Sequence, residues 1–154
     1  MPQLRAPRPY SFTDRPESKR QGEVAELLFL YRATVLGLKV SKPYGESERY
    51  DFIVDTGRRL LRVQIKSTRG LISKGAYRIS GGRNILGGTV PYLPSQVDFI
   101  AAYIFPEDTW YILPLSALSG RIRIRLHSLD NPKPNQLTQY REAWPLLLAE
   151  PTHV

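Results

Sequence analysis

The sequence predicts a single α/β domain built on a mixed sheet, and three stretches carry that prediction. Over 16–36 the apolar residues Val24, Leu27, Leu28, Tyr31 and Val35 recur at helical spacing, which predicts an amphipathic helix. Over 50–66 two alternating runs flank Thr56-Gly57-Arg58-Arg59, which predicts a β-hairpin. The run Val97 to Phe105 is continuously apolar and rich in Ile, Phe and Tyr, which predicts a central strand buried on both faces. A chain of 154 residues, 42% hydrophobic and 23% charged, is long enough for one core and too apolar for disorder.

Each element follows from local chemistry. Residues 1–15 carry Pro2, Pro7 and Pro9 and read as an extended arm, whose Arg5, Arg8 and Arg15 either graze a polyanion or stay solvated. Pro16 suits a first helical turn, Ser18 with Gln21 fits a capping box, and Gly37 is placed to end the helix. Glu23 and Glu26 stand at the edge of its stripe, and composition alone makes both solvated acids. Residues 38–42 alternate as a first strand, and 43–48 form a loop.

The hairpin register has a chemical consequence. A two- or four-residue loop places Asp51 opposite Gln64, with Lys66 on the same face; a three-residue loop would send them to opposite faces. After Ser67 and Thr68 comes a basic turn over 69–75 with Arg69 and Lys74, then a short strand over 76–80 carrying Tyr77 and Arg78. The stretch Gly81 to Gly88 reads as a glycine-rich loop, either a plain surface loop or one lying over bound nucleic acid. It lacks the Gly-Lys-Ser/Thr ending of a phosphate-cradling loop, which argues against a nucleotide cofactor. Pro106-Glu107-Asp108 turns the central strand into Thr109–Leu113, where Trp110 and Tyr111 read as core; Asp98 either begins its strand or approaches the Asp51 cluster. Residues 114–118 form a short connector or a one-turn helix. Arg121, Arg123 and Arg125 alternate with apolar residues and form a row on one strand face, either tracking phosphates or guarding an edge. The domain is expected to span 16–126, and 127–154 to be an extension with a short helix over 135–144.

Composition narrows the function classes. Lys plus Arg number 22 against 14 acids, a formal charge of +8, which favours a polyanionic partner. With no Cys there is no thiolate chemistry or disulfide framework, and His127 and His153 alone cannot build a histidine metal cluster. The N-terminal MPQLRAPRPY lacks the apolar core of a signal peptide and no apolar run is long enough to span a bilayer, so a cytoplasmic protein is expected.

An acid, an amide oxygen and an ammonium at one spot suit attack on a phosphodiester assisted by Mg²⁺, which prefers hard oxygen ligands. The hairpin resembles the PD-(D/E)XK nuclease motif, with Asp51 on one strand and Gln64-Ile65-Lys66 on the next. Tyr50 replaces the usual Pro, and Gln64 replaces the acidic ligand, which removes one negative charge. Holliday-junction resolvases and intron endonucleases of this fold carry a helix Glu four residues after a Gly, and Gly22 and Glu26 match that spacing. The resemblance implies a restriction-endonuclease-like mixed sheet flanked by helices and a DNA endonuclease using Mg²⁺, with Mn²⁺ as a substitute. It assigns Glu26, Asp51, Gln64 and the Ile65 carbonyl to the metal, and Lys66 to the attacking water. A homo-oligomer acting on DNA is implied, with Ser67, Arg69, Lys74, Arg78, Arg83, Arg121, Arg123 and Arg125 as candidate DNA contacts. The alternative is a degenerate member that binds DNA and has lost the metal.

Overall fold

In the computed structural model, which describes residues 15–73 and 75–148, a five-stranded mixed sheet lies between one long helix and a smaller sheet. The chain runs α1 (Arg15–Val35), β1 (Lys39–Ser41), β2 (Phe52–Asp55), β3 (Leu60–Thr68), β4 (Leu71–Ser73) and β5 (Ala76–Ser80). It continues through β6 (Gly82–Ile85), β7 (Gly88–Pro91), β8 (Phe99–Ile104), β9 (Thr109–Pro114) and β10 (Arg123–His127). The large sheet has the order β1-β2-β3-β8-β9, with β3 and β8 parallel and the other neighbours antiparallel. A three-stranded sheet, β10-β5-β4, covers its second face, and β6 pairs with β7 alone. The expected restriction-endonuclease-like mixed sheet is present, with α1 the one α-helix among the described residues. Of the predicted arm over 1–15, residues 1–14 lie outside the described residues, as does Lys74, and Arg15 belongs to α1 instead.

The sheet separates two cores. On the helix side, Phe52, Val54, Leu61, Val63 and Ile65 pack with Ala25, Phe29, Ala33, Trp110 and Trp144. Phe29 lies within 5.5–5.7 Å, ring centre to ring centre, of Phe52, Trp110 and Trp144. Contacts of this kind add about 0.5–1.5 kcal/mol each beyond area burial. On the other side, Ile100, Ala102 and Ile104 of β8 meet Tyr77 and Ile79 of β5 and Ile124 and Leu126 of β10. The predicted burial of β8 on both faces is therefore met, and Trp110 and Tyr111 are core residues.

Four sequence expectations need correction. The buried face of α1 is Ala25, Phe29 and Ala33, whereas Leu27, Tyr31 and Val35 are each about two-thirds exposed. Two small residues flank one aromatic on the buried face, Leu28 of the predicted stripe packs partly against that core, and its Leu27, Tyr31 and Val35 are left outside. The basic turn over 69–75 contains strand β4, because Leu71 pairs with Tyr77. The glycine-rich stretch is the β6–β7 hairpin, with Asn84 opposite Thr89. The helix expected over 135–144 is replaced by 3-10 turns at Thr138–Tyr140 and Trp144–Leu147, the second with a proline in its first turn. Trp144 and Leu147 are buried in the core beneath α1.

The end of α1 is as expected. Gly37 has φ 81°, its N–H donates to Thr34 O at 3.0 Å, and the Leu38 N–H donates to Ala33 O at 2.9 Å. These bonds satisfy two terminal carbonyls and drop Leu38 into the core.

A clamp fixes the parallel pair. Arg62 Nε and one terminal nitrogen donate to the two carboxylate oxygens of Asp98 at 3.0 Å each. The Arg62 backbone N–H donates to Asp98 Oδ2 at 2.8 Å, and the Asp98 N–H donates to Arg62 O at 2.9 Å. The guanidinium also donates to the carbonyls of Pro94 and Ser95. Burial raises the Asp98 pKa, but the bonds from Arg62 outweigh it and hold the carboxyl below its ordinary value. Asp98→Ala is expected to cost about 2–4 kcal/mol in urea unfolding, because it strands a partly buried guanidinium; a loss below about 0.5 kcal/mol would show that the clamp is dispensable.

Candidate active site

The predicted register holds. Phe52 pairs with Val63 and Asp55 with Leu60 across a four-residue loop, and the Asp51 N–H donates to Val63 O at 2.9 Å. Asp51 is thus opposite Gln64, with Lys66 two residues further along the same face. Alternation gives the odd positions 61, 63 and 65 to the helix-side core and leaves 62, 64 and 66 partly exposed.

Asp51 Oδ2 accepts the Ile65 N–H at 2.8 Å, so the carboxylate is tied to the middle of the Gln64-Ile65-Lys66 triplet. Its pKa is pushed up to about 6. Burial is the main cause; the Ile65 N–H opposes it, Glu26 raises it further, and Lys66 and Lys42 pull it down. Glu26 and Asp51 line one cleft of about 540 Å³ with Lys42, Tyr50 and the loop residues Tyr44 to Glu46. The Gln64 side-chain nitrogen donates to Ile65 O at 3.3 Å. Lys66 Nζ lies 5.2 Å from the Tyr92 ring centre and donates to Gly82 O at 3.3 Å.

Lys42 was not a sequence candidate. Its Nζ donates to Glu26 Oε2 at 2.8 Å, and that contact is the main reason its ammonium is held above its ordinary pKa. Only its position at the end of the first alternating strand was legible; its partner lies 16 residues away on the helix. Glu23 is exposed, as expected for the outward neighbour.

The donor set suits a hard divalent cation. Burial is the main penalty on the Asp51 charge and Glu26 adds to it, and a dication held beside Asp51 would relieve both. Among the described residues no group of three or more His, Cys, Asp or Glu is placed to hold a metal ion, and position 64 offers an amide instead of a carboxylate.

The candidate DNA contacts divide. Arg78 and Arg123 line a groove of about 610 Å³ together with Lys66 and Ser67. Arg125 is directly opposite Arg78 and donates to Ser73 Oγ at 2.9 Å. Ser67 Oγ accepts from Gln21 at 3.0 Å, and Arg69 lies over the Phe105 ring at 5.0 Å. Arg121 does not join the predicted row: it precedes β10 and donates to Leu118 O at 3.0 Å and Ala117 O at 3.3 Å. Arg83 is half-buried on β6, opposite Val90. Asp98 is committed to Arg62 and does not join the Asp51 cluster.

A mixed sheet with α1 on one face, and with Asp51 at the entry to β2 beside the Gln-x-Lys strand, defines a nuclease-fold domain. A model of the PD-(D/E)XK endonuclease family matches residues 16–147, and the chain belongs to that family. It is similar to the bacterial homing endonuclease I-Ssp6803I, with 32% identity, a TM-score of 0.73, and coverage of 85% of this chain and 93% of that one. A weaker likeness, 14% identity and TM-score 0.45 over 70% of this chain and 84% of the other, is to the Holliday junction resolvase Hjc of Archaeoglobus fulgidus. No curated protein matches the sequence. Among the described residues no helix is long and apolar enough to cross a membrane.

The raised Asp51 pKa has a definite sign in stability. Between the unfolded value of 3.8 and the folded value of about 6, the folded state holds the additional proton. Stability therefore falls as pH rises through that window, by about 2–3 kcal/mol in total. Asp51→Asn keeps an oxygen acceptor for Ile65 and removes the charge. In metal-free buffer its melting temperature is expected to exceed that of the wild type at pH 7 and to match it near pH 4. Equal melting at pH 7 would show that the carboxylate carries no such penalty.

Proposed function

We propose that this protein is a Mg²⁺-dependent DNA endonuclease that hydrolyses phosphodiester bonds, with Mn²⁺ as a substitute. The observation that carries this reading is the convergence on Asp51: Ile65 bonds it, and Glu26, Lys66 and Lys42 all act on its charge. Asp51 and Glu26 would hold the ion, together with the Gln64 amide oxygen and the Ile65 carbonyl. When bound, the ion supplies a Lewis acid that activates water and takes up phosphate charge. Lys66, held between Tyr92 and Gly82, orients the attacking water and offsets charge on the phosphate. The products expected are a 5′-phosphate and a 3′-hydroxyl. The solved relative I-Ssp6803I is described as a homing endonuclease, which supports DNA as the substrate here.

A second reading, a DNA-binding module without metal, rests on Gln64 and on the Lys42–Glu26 pair, since a tethered ammonium already neutralises one of the two carboxylates. Metal-dependent nicking of plasmid DNA separates the two. The endonuclease reading expects nicking with Mg²⁺ or Mn²⁺ that falls by two to four orders of magnitude in Lys66→Ala and Asp51→Asn. Wild-type protein that binds DNA but never nicks it with either ion would support the binding module.

One chain offers one such site, so cutting both strands of a duplex needs a second copy. The exposed stripe Leu27, Tyr31 and Val35 on α1 is the apolar face suited to that assembly. Light scattering is expected to give at least twice the chain mass, falling to the monomer in Tyr31→Asp; a monomeric wild type would remove this face from the scheme.

A further inference from the structure

The β6–β7 hairpin stands beside the groove that begins at Lys66, and the roles assigned above use only the Gly82 carbonyl at its base. Its strands are joined through Leu86 and Gly87, and Leu86 is fully exposed at the tip with Ile85 beside it. Asn84 and Thr89 are directly opposed on the hairpin, and both line the groove with Lys66, Ser67, Arg78 and Arg123. The lining contains three cations and no acid.

We propose that this hairpin is a two-stranded ribbon that enters the major groove of duplex DNA and reads base edges through Asn84 and Thr89. The proposal rests on the nuclease reading for its choice of DNA, and adds where sequence is read. Two strands lie about 5 Å apart, and with side chains they fill a major groove about 12 Å wide. The Thr89 hydroxyl donates to Asn84 Oδ1 at 3.1 Å and so holds the amide in one orientation. That amide keeps two N–H donors and an oxygen lone pair at the surface, the pattern that pairs with the N6 and N7 edge of adenine. The exposed apolar tip suits thymine methyl groups and has nothing to offer a phosphate.

The base of the ribbon is rigid where reading must be tied to cutting. A Cβ on Gly81 would lie 2.3 Å from Arg121 O, and one on Gly82 would lie 2.2 Å from Val90 O, so no larger residue fits the crossing. The Gly81 N–H donates to Ile122 O at 3.0 Å, and Gly82 O accepts from Lys66. Asn84 therefore stands at a fixed offset from the lysine beside the scissile phosphate. Behind it, Arg78 and Arg125 face each other across β5 and β10, with Arg123 next on the same face. Like charges so opposed repel, and a phosphate between them relieves the repulsion.

The test selects bound sequences from a randomised duplex library in EDTA, so that cleavage plays no part. Wild-type protein is expected to enrich a preferred sequence. Asn84→Ala and Thr89→Ala are expected to flatten a preference of roughly tenfold at one or two adjacent base pairs. Arg123→Ala should instead weaken all sequences alike and lower the salt slope by about 1. Unchanged preferences in both ribbon variants, or a wild type with no preference at all, would overturn the proposal. Flattened preferences in a protein that never nicks would support the ribbon while removing the nuclease reading.

Discussion

The Arg62–Asp98 clamp is the constraint on which the arrangement depends. A parallel strand pair has no tight turn to set its register, and the connection from β3 to β8 here contains two strands and a hairpin. The clamp supplies the missing constraint, because it joins side chain and backbone of one residue on β3 to side chain and backbone of one residue before β8. With β2 fixed on the other side by its four-residue turn, β3 is held in register from both edges. A slip of one residue on either side would turn Lys66 into the helix-side core and Ile65 out of it.

That fixed strand separates stability from chemistry by parity. Leu61, Val63 and Ile65 give the helix-side core its apolar floor, and Arg62, Gln64 and Lys66 point to the other side. Asp51 is caught between the two requirements. It is buried enough to be desolvated, yet its one backbone hydrogen bond at Ile65 does not offset the loss of water. A carboxylate in that state binds cations more readily than a solvated one, and it has two lysines and a second acid in its field. Gln64 fits this balance. A third carboxylate would raise the Asp51 pKa further, whereas an amide supplies an oxygen without adding charge.

What the sequence made legible was local. The hairpin register, the Gly37 helix end and the two-faced burial of β8 follow from spacing and turn chemistry within a few residues. The helix face was not legible because α1 packs through two small alanines around Phe29, while the bulkier Leu27, Tyr31 and Val35 mark a stripe at the same helical spacing. The glycines at 81 and 82 suggested a loop, but they are required by backbone crossings at Arg121 and Val90. Lys42 could not be found, since its importance comes from Glu26 on another element. The same holds for Trp144, whose partner Phe29 is more than a hundred residues earlier.

The two surface features with most functional weight lie on different elements, and one physical argument covers both. A contiguous apolar face and directly opposed like charges each carry a standing free-energy cost when they have no partner. Here Leu27, Tyr31 and Val35 stand on the outer face of α1, while Arg78 and Arg125 oppose each other on the far sheet. The first cost is relieved by an apolar partner and the second by a polyanion, and neither partner can substitute for the other. Since α1 and the three-stranded sheet pack on different faces of the central sheet, the two surfaces share no residue.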